Sequence, residues 1–532
     1  MKTRLCVFIL ICCLAPFQKI FSEEYNILAF GAIPDTTKLS TTAIQKAIDA
    51  CSANGGGQVT IPAGRFKTGS VFLKSNIRLY LEAGAILYGS TSLKDYKTIK
   101  TAFISLRTQD SIVQLIYGED LTNVSICGYG EIDGQGKAFA FQPNDEGITR
   151  PHLIRFIRCS DIRVENLSLR NSACWMQHYL ACIRVTLRGL RIFNRSNMNN
   201  DSMDLDGCKD VTVSDIISDT EDDGITFKST SGWISENIVV TNCVLSSRWN
   251  AIKMGTETNG GFKNVSISNC VIKTTSVFPW NDGITSNPLT GITLLITDGG
   301  IMQNIVISNI SIDNYDAPIF IRLANRGRSY LRGMPVTKVG TVNDISNDNV
   351  RITNAKKNGC AITGIPGYPV ENIRLSNISI QFSGEGTKSD FDRVVDEDVK
   401  GYPQANQWDA LPAYGFFIRH ASNVTFNGIE FGTSKPDARP TFFLDDVKGA
   451  NLLNMQLQSS DISESNIFIK QSQDVIIQGN SIQGKSNCFV KAEGDKTSNV
   501  LVFNNVLPLV KQVFSESLGC KDKVKEINNL IK

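Results

Sequence analysis

Short phrases of alternating apolar and polar residues recur along this chain, and they constrain its fold more than any other feature. They include DVTVSDIIS from Asp210, NIVVTNCVL from Asn237, NVSISNCVI from Asn264 and NVLVFNNVL from Asn499. The first three begin 27 residues apart, at positions 210, 237 and 264. A period in the twenties that is built from strands is typical of a solenoid whose repeats cover one another.

The repeats lack the fixed leucine scaffold of leucine-rich repeats, which have a similar period. We therefore predict an all-β chain folded as a right-handed parallel β-helix, in which neighbouring coils stack about 4.8 Å apart. Asn and Cys recur at matching places in successive repeats, as at Cys243 and Cys270. We expect them to form ladders inside the helix, with cysteine acting as a small apolar residue.

Residues 40–53 differ from the repeats because their apolar residues recur at helical spacing. The apolar positions are Ala43, Ile44, Ala47, Ile48 and Cys51. The open end of a solenoid exposes unpaired strand edges, and an amphipathic helix there would cover them. We predict a single catalytic domain over residues 23–532, with the N-terminal cap and first coils in about 23–100.

The first 22 residues have the pattern of an export signal. Lys2 and Arg4 precede an apolar run over residues 5–17, and residues 18–22 form a more polar exit. This arrangement is typical of a secretory signal peptide, and the apolar run is shorter than a membrane span needs. We therefore expect a secreted or periplasmic protein without a membrane span, with a lipid anchor on Cys12 or Cys13 as a weaker alternative.

The charge balance and the scarcity of histidine exclude some classes of function. Lys plus Arg number 54 and Asp plus Glu number 52, so the excess positive charge of a typical nucleic-acid binder is absent. Only 3 His and no Cys-x-x-Cys pair occur, which argues against zinc. We expect no cofactor, no metal, no nucleic-acid partner and a monomeric protein.

The richest group of carboxylates falls in consecutive repeats. The phrases NNDSMDLDG and EDDGITFKS are followed by WNAIKMGTE. When their inward apolar residues are aligned, Asp201 lies over Asp223, Asp222 lies beside Asp223, and Asn250 occupies the next coil. A second column, facing outward, contains Asp204, Thr226 and Lys253.

Carboxylates this close together cannot all ionise cheaply, so at least one should keep its proton near neutral pH. Glycoside hydrolysis needs one protonated acid together with one or two ionised carboxylates. A separation of roughly 6.5–9.5 Å between acid and base would leave room for a water molecule and predict inversion. Ca²⁺ binding and ordinary turn chemistry are alternative interpretations of the same residues.

Much of the chain resembles glycoside hydrolase family 28, the polygalacturonases and rhamnogalacturonases. The similar stretches include NILAFGAIPD, AIQKAIDACSANGGGQVTIPAG, FLKSNIRLYLEAGAILYGS, RPHLIRFIRCSDIRVENLSLRNSACW and PAYGFFIRH. The family's Asn-Thr-Asp and Asp-Asp phrases correspond here to Asn199-Asn200-Asp201 and Asp222-Asp223. The resemblance implies that Asp222 is the general acid and that Asp201 and Asp223 hold and deprotonate the attacking water.

Two departures from the family pattern concern substrate binding. The family's Gly-His-Gly is Trp249-Asn250-Ala251 in this chain. Its Arg-Ile-Lys, which grips the galacturonate carboxylate in polygalacturonases, aligns with Thr293-Leu294-Leu295. Both departures argue against simple polygalacturonan as the substrate, but they do not change the predicted class of reaction.

Other residues could supply the missing contacts. The candidates for substrate binding are Asn250, Lys253, Arg322, Arg326 and His178. Lys253 lies one coil away, in the column where the family's arginine would be. Each candidate also has a structural interpretation: Lys253 as a solvated surface residue, the arginines as braces of a loop, and His178 as a buried aromatic contact.

The sequence favours an exported hydrolase of galacturonate-containing pectic polysaccharide, either polygalacturonan or rhamnogalacturonan, acting by an inverting general acid/base mechanism. Long inserts between Asn264 and Asn372 could close one end of the groove and favour action at chain ends. A β-helical polysaccharide lyase that uses Ca²⁺ is one alternative, and a non-catalytic carbohydrate-binding solenoid is another. An unsaturated product that is lost on chelation would indicate the lyase, whereas glycan binding without turnover would indicate the solenoid.

Overall fold

The computed structural model describes residues 25–142, 145–274, 288–336, 338–517, 520 and 523–531. The predicted signal peptide, residues 1–22, lies outside the described residues. Nearly every strand pairs in parallel with the strands of the coils before and after it, so each coil satisfies the backbone hydrogen bonds of its neighbours. The chain is a parallel β-helix, and the predicted all-β fold class is confirmed.

The strands stack into three faces. The face that carries the acidic residues, here called the cleft face, contains Val71–Phe72, Ile112–Glu119, His152–Ile157, Gln177–Leu180, Met203–Asp206, Ile225–Ser229, Asn250–Thr258, Thr290–Ile296, Ala317–Leu323, Cys360–Thr363, Phe416–Asn427, Phe442–Leu453, Ile467–Lys470, Ser486–Glu493 and Val510–Glu516. The second face contains Tyr25–Asn26, Gly57–Ile61, Ile77–Leu81, Thr122–Gly128, Ser160–Glu165, Ile183–Arg188, Lys209–Ser214, Ser235–Thr241, Gly261–Ile272, Ile301–Asp313, Thr341–Ala355, Val370–Phe382, Gln473–Gln478, Ser498–Phe503 and Val524–Ile527. The third face contains Gly64–Thr68, Ala85–Gly89, Glu131–Asp133, Ser168–Arg170, Arg191–Asn194, Ile217–Thr220, Val244–Ser247, Glu430–Thr433, Gln456–Gln458, Ser481–Gln483, Val506–Leu507 and Leu530–Ile531.

A few elements depart from this simple scheme. Long strands such as Gly261–Ile272 bend from the second face into the third, and Phe416–Asn427 bends from the cleft face into the second. The short strand Thr98–Ile99 pairs antiparallel with Ile112–Glu119.

Apolar side chains stack from coil to coil inside the helix. Met203, Ile225 and Ile252 lie in register on three consecutive coils, and all three are fully buried. The coil alignment predicted from the inward residues is therefore confirmed. One continuous apolar core extends from Tyr25 to Val524.

The N-terminal helix spans Thr41–Ala53 and packs on the first coils. Its buried residues are Ala43, Ile44, Ala47, Ile48 and Cys51, so the predicted capping helix is confirmed. The other helical segments are short: Ile27–Phe30, Leu93–Asp95, Gly136–Ala138 and Lys388–Phe391. Within the described ranges, no helix is long and apolar enough to cross a membrane.

One asparagine ladder runs along the surface, at a corner of the helix, whereas Asn480 and Asn505 of two later repeats form a buried ladder as predicted, at 3.0 Å. Asn237, Asn264 and Asn304 adopt left-handed backbone conformations with φ of 58°, 54° and 57°, and their amides hydrogen-bond from coil to coil at 3.1 and 2.9 Å. Asn tolerates this backbone region better than most residues, so the repeat uses it to turn. Cys243 and Cys270, in contrast, are buried as predicted, and none of the eleven cysteines in the described part of the chain forms a disulfide.

A long insertion over residues 383–415, here called the strap, crosses the cleft face. Its Trp408 packs on Phe320 with 6.2 Å between ring centroids, and its Phe391 packs on Phe468 at 5.2 Å. These contacts belong to a second apolar cluster outside the main core. Side chains that point outward from the cleft face are consequently buried over several coils.

Candidate active site

Three aspartates converge where two neighbouring coils enter the cleft face. Asp201 comes just before Met203–Asp206, and Asp222 and Asp223 come just before Ile225–Ser229. The two strands pair in register. One carboxylate oxygen from each aspartate lies within 4.8 Å of one from each of the others. We call these three residues the acid cluster.

The turn that carries Asp222 is held by hydroxyl groups of its own coil and of the next. The Asp222 carbonyl accepts hydrogen bonds from Thr220 Oγ1 at 2.9 Å and from Ser247 Oγ at 2.6 Å. In the described part of the chain its carboxylate has one weak contact, with Asn199 Nδ2 at 3.5 Å. The backbone at Asp222 is therefore fixed, while its side chain is partly buried and faces the cleft.

Asp223 has a different environment. Its Oδ1 accepts a hydrogen bond from Asn250 Nδ2 and its Oδ2 one from Lys253 Nζ, both at 2.7 Å. Thr293 Oγ1 in turn donates to Asn250 Oδ1 at 2.8 Å, which fixes the orientation of the amide. Asp223 is thus a buried carboxylate whose charge is balanced by a buried ammonium group.

Burial and like charge raise the pKa values of the other two members of the cluster. For Asp222 burial is the main cause, and the nearby charges of Asp223 and Asp201 add to it. Burial also raises the pKa of Asp201 well above its ordinary value, with further contributions from Asp204 and Asp223. A carboxyl group that keeps its proton and faces a cleft is suited to act as a general acid.

The spacing of the cluster is shorter than the sequence argument assumed. The nearest oxygens lie within 4.8 Å, whereas the carboxyl groups of inverting enzymes are typically roughly 6.5–9.5 Å apart. The expectation of inversion therefore rests on the family resemblance, since this spacing does not predict it.

The cluster could in principle hold a cation, since its oxygens converge. However, Asp223 already receives the Lys253 ammonium group and the Asn250 amide on its two oxygens. These groups supply the positive charge and the orientation that a metal ion would otherwise give.

The acid cluster lies in a cleft of about 560 Å³. The other residues that line it are Arg107, Phe141, Glu146, Trp175, Met198, Asn199, Glu221, Lys228, Arg248, Trp249, Asn250, Lys253, Thr256, Glu257, Arg326, Arg328, Tyr402 and Gln404. Six acidic and six basic side chains contribute to this lining, so its formal charge is balanced.

Most of the basic side chains in the cleft are paired with carboxylates. Arg107 contacts Glu257 at 2.8 Å, Lys228 contacts the same carboxylate at 3.4 Å, and Arg328 contacts Asp298 at 2.8 Å. Burial opposes ionisation of Glu257, yet these cations lower the pKa of Glu257 well below its ordinary value. This wall of the cleft is therefore a fixed network of charges.

Arg326 is the exception among the basic residues of the cleft. No carboxylate in the described part of the chain lies within 4.0 Å of its guanidinium group. It donates to Thr256 Oγ1 at 3.3 Å and lies 4.8 Å from the centre of the Tyr402 ring. The structure thus places Arg326 in the cleft, in reach of a ligand.

The structure places Arg322 and His178 outside the lining of the cleft. Arg322 is fully buried and donates to the carbonyl groups of Glu397 and Asp398 in the strap at 2.8 and 3.0 Å. His178 is fully buried beneath Trp175 and contacts Asp206 Oδ2 at 3.0 Å. Burial and nearby cations lower the pKa of His178 well below its ordinary value. Both side chains are covered by other segments, and their contacts match the structural alternatives of a brace for a loop and a buried aromatic contact.

Several other residues of the cleft could not be predicted from the sequence. Tyr402 and Gln404 come from the strap, which has no repeat and follows the acid cluster by about two hundred residues. Arg107 and Glu146 come from loops between early strands. Trp249 is different, because it stands within the phrase that replaces the family's Gly-His-Gly.

A parallel β-helix with three carboxylates gathered in a surface cleft defines the class of β-helical glycoside hydrolases. Residues 51–396 match glycosyl hydrolases family 28, and the chain belongs to this family. The predicted family and the prediction of an O-glycosyl hydrolase are confirmed. Membership also favours hydrolysis over the lyase and over the non-catalytic solenoid.

Two enzymes named for the hydrolysis of galacturonan are similar to this chain. A probable polygalacturonase of Vitis vinifera is 26% identical over 392 residues, which are 69% of this chain and 76% of that protein. An exo-poly-alpha-D-galacturonosidase of Dickeya chrysanthemi is 29% identical over 301 residues, 46% of this chain and 50% of that protein.

Two solved structures show the same fold. The family 28 exopolygalacturonase of Yersinia enterocolitica has a TM-score of 0.63 at 20% identity, covering 80% of this chain and 78% of that one. The exopolygalacturonase of Thermotoga maritima has a TM-score of 0.57 at 21% identity, covering 77% and 92%.

Proposed function

We propose that the protein hydrolyses glycosidic bonds in galacturonate-containing pectic chains, with Asp222 as the general acid. The observation that carries this proposal is the acid cluster, whose oxygens lie within 4.8 Å of one another in the cleft. Asp222 keeps a proton that it can donate to the leaving oxygen, while Asp201 and Asp223 receive the attacking water. The printed names of the relatives support a galacturonate-containing substrate.

Arg326 is our candidate for recognition of the substrate carboxylate. Its guanidinium group has no carboxylate partner among the described residues, and Arg binds carboxylates through two parallel hydrogen bonds. Lys253, by contrast, is engaged with Asp223 at 2.7 Å. We therefore assign Lys253 and Asn250 to the orientation of Asp223, close to the bond that is cleaved.

The strap supports action at the end of a chain. Tyr402 and Gln404 line the cleft, and beyond them Trp408 covers the outward side chain of Phe320. A long polymer could not continue along the cleft face past this point. On sequence alone this wall is expected from the inserts between Asn264 and Asn372, and we assign it to the strap instead. One of those inserts contributes Arg326 and Arg328 to the lining of the cleft.

The N-terminal pattern supports export, so we propose that the enzyme acts on pectic material outside the cytoplasm. We also propose that the reaction inverts the configuration at the anomeric carbon. Proton NMR tests this by identifying the anomer that forms first.

The experiment compares wild type with Asp222→Asn on oligogalacturonides, polygalacturonate and rhamnogalacturonan oligosaccharides, with and without chelator. We expect the substitution to lower kcat by about 10²–10⁴-fold, because a general acid typically contributes that factor, and we expect chelator to have no effect. Asp210→Asn is the matched control, since Asp210 lies at a surface turn and contacts Asn237 at 2.9 Å. Absence of wild-type turnover on every substrate would refute the substrate class, and near-normal turnover by Asp222→Asn would refute its role.

A further inference from the structure

A fourth aspartate lies directly behind the acid cluster. Asp204 stands on Met203–Asp206, in register with His178 on one side and Thr226 on the other, and is fully buried. It does not line the cleft. The mechanism proposed above gives it no role.

Three carboxylate oxygens at this point receive no hydrogen bond from any described residue: Asp204 Oδ1, Asp204 Oδ2 and Asp201 Oδ1. The nearest cation is Lys228, whose Nζ is 3.6 Å from Asp204 Oδ1. That ammonium group also lies 3.4 Å from Glu257 and 4.4 Å from the centre of the Trp175 ring, so it is shared among several partners. Buried, ionised carboxylate oxygens without hydrogen-bond donors are strongly destabilising because they have lost their hydration.

The two carboxyl groups can satisfy each other if they hold one proton between them. The side chains of Asp201 and Asp204 are within hydrogen-bonding reach. We propose that Asp204 is a positioning residue that shares a single proton with Asp201, and that this shared proton orients the Asp201 carboxyl group toward the attacking water. Asp204 itself touches neither substrate nor water.

The charges around the pair are consistent with one shared proton. Burial raises the pKa of Asp204 to about 7, and it raises the pKa of Asp201 well above its ordinary value. Such a pair titrates as a unit. The charged or titratable groups that face Asp204 are Asp201, Asp206, Asp223, Lys228, Arg107 and His178.

The test rests on the proposed function and compares two substitutions of similar size. Asp204→Asn keeps a hydrogen-bonding partner for Asp201, whereas Asp204→Leu keeps the volume and removes the partner. We expect Asp204→Leu to lower kcat at least tenfold below Asp204→Asn, with KM unchanged. We also expect the acidic limb of the kcat/KM profile to lie at higher pH for Asp204→Leu, because a donor that bonds the ionised form of Asp201 lowers its pKa.

Asp206 provides the matched control. It is equally buried on the same strand, but it accepts hydrogen bonds from Thr230 N at 2.7 Å and Thr230 Oγ1 at 2.6 Å. Asp206→Asn and Asp206→Leu should differ in thermal stability, but the acidic limb of their pH profiles of kcat/KM should be the same. Equal kcat and equal acidic limbs for the two Asp204 variants would overturn the proposal.

A second measurement covers the case in which Asp204→Leu does not fold. In an Asp222→Asn background, the infrared difference spectrum near pH 6 on adding Asp204→Asn should show the loss of one protonated carboxyl band, whereas the bands of other buried carboxyl groups, such as Glu221, cancel. Persistence of that band would contradict a shared proton. If the proposed function were wrong, the wild-type enzyme would itself show no turnover. That result is different from the results that would overturn the shared proton.

Discussion

At the scale of single residues, the roles in the acid cluster are separated by the donors that each carboxylate receives. Asp223 accepts two hydrogen bonds of 2.7 Å, one of them from the Lys253 ammonium group. Among the described residues, the Asp222 carboxylate has one long contact, with Asn199 at 3.5 Å, and burial raises its pKa. Neighbouring aspartates thus have different surroundings without any difference in side-chain chemistry.

The raised pKa of Asp222 predicts a pH-dependent cost to the fold. A carboxyl group whose pKa is higher in the folded than in the unfolded state stabilises the fold at low pH, and this contribution is lost as pH rises through the folded pKa. Asp222→Asn should therefore be more stable than wild type at pH 8, with a smaller difference at pH 4. Urea unfolding at both pH values measures this, and a difference that does not change with pH would contradict the assigned protonation.

The ion pair between Lys253 and Asp223 predicts a large loss of stability when it is broken. Both side chains are buried, at 7% and 3% exposure. Lys253→Met should lower the free energy of unfolding by about 3–5 kcal/mol, since it leaves an uncompensated buried carboxylate. In a double-mutant cycle measured by urea unfolding, adding Asp223→Asn should recover much of the loss. Additive effects of the two substitutions would argue against the pair.

The unpaired guanidinium group of Arg326 predicts an effect on substrate binding. Arg326→Ala should raise KM for oligogalacturonides at least tenfold, because a hydrogen bond to a charged group contributes about 1.5–3 kcal/mol, and it should change kcat much less. Methyl-esterified oligosaccharides are the control, since they lack the charge. An equal rise in KM for the acid and the ester would contradict carboxylate recognition.

At the scale of strands and turns, the register between coils positions the residues of the acid cluster. Gly224 allows its coil to lie close to the next one. A Cβ atom on Gly224 would lie 2.3 Å from the carbonyl oxygen of Ala251 in the next coil. Gly224→Ala should therefore cost about 1–3 kcal/mol of stability and reduce kcat by displacing Asp223 from Asn250.

Gly232 is the matched control for this prediction. Its added Cβ would come no closer than 3.6 Å to any atom, the nearest being Tyr330 Oη. Gly232→Ala should leave the thermal midpoint and kcat nearly unchanged. Similar losses for both variants would show that close packing at Gly224 is not the cause.

The sequence predicted the elements that have a local pattern, namely the repeats and the N-terminal helix, and failed on the strap, which has none. Alternating inward residues such as Met203 and Ile225 determine the register, so the convergence of Asp201 with Asp223 could be derived from it. In the structure His178 and Arg322 point outward from the coils, and alternation in the sequence cannot show what covers an outward side chain. The strap buries Arg322 through contacts between residues far apart in the chain, for which local sequence has no pattern.

At the scale of the whole molecule, the β-helix supplies a rigid floor and the insertions supply the walls of the cleft. Segments as far apart as Arg107 and Gln404 meet over the same few coils. The repeat therefore explains the fold and the acid cluster, while the walls determine which polymers can enter and whether they can pass through. Substrate specificity should accordingly vary with the insertions more than with the coils.

The most direct test of the whole account is a crystal structure of Asp222→Asn with an oligogalacturonide bound. The account predicts that the scissile oxygen lies roughly 2.6–3.2 Å from the side chain at position 222, with a uronate carboxylate on Arg326 and the sugar chain stopped at Tyr402. A sugar bound elsewhere would contradict it, for example in a separate groove that Phe443 and Lys491 line. So would a sugar whose anomeric carbon faces away from Asp201 and Asp223.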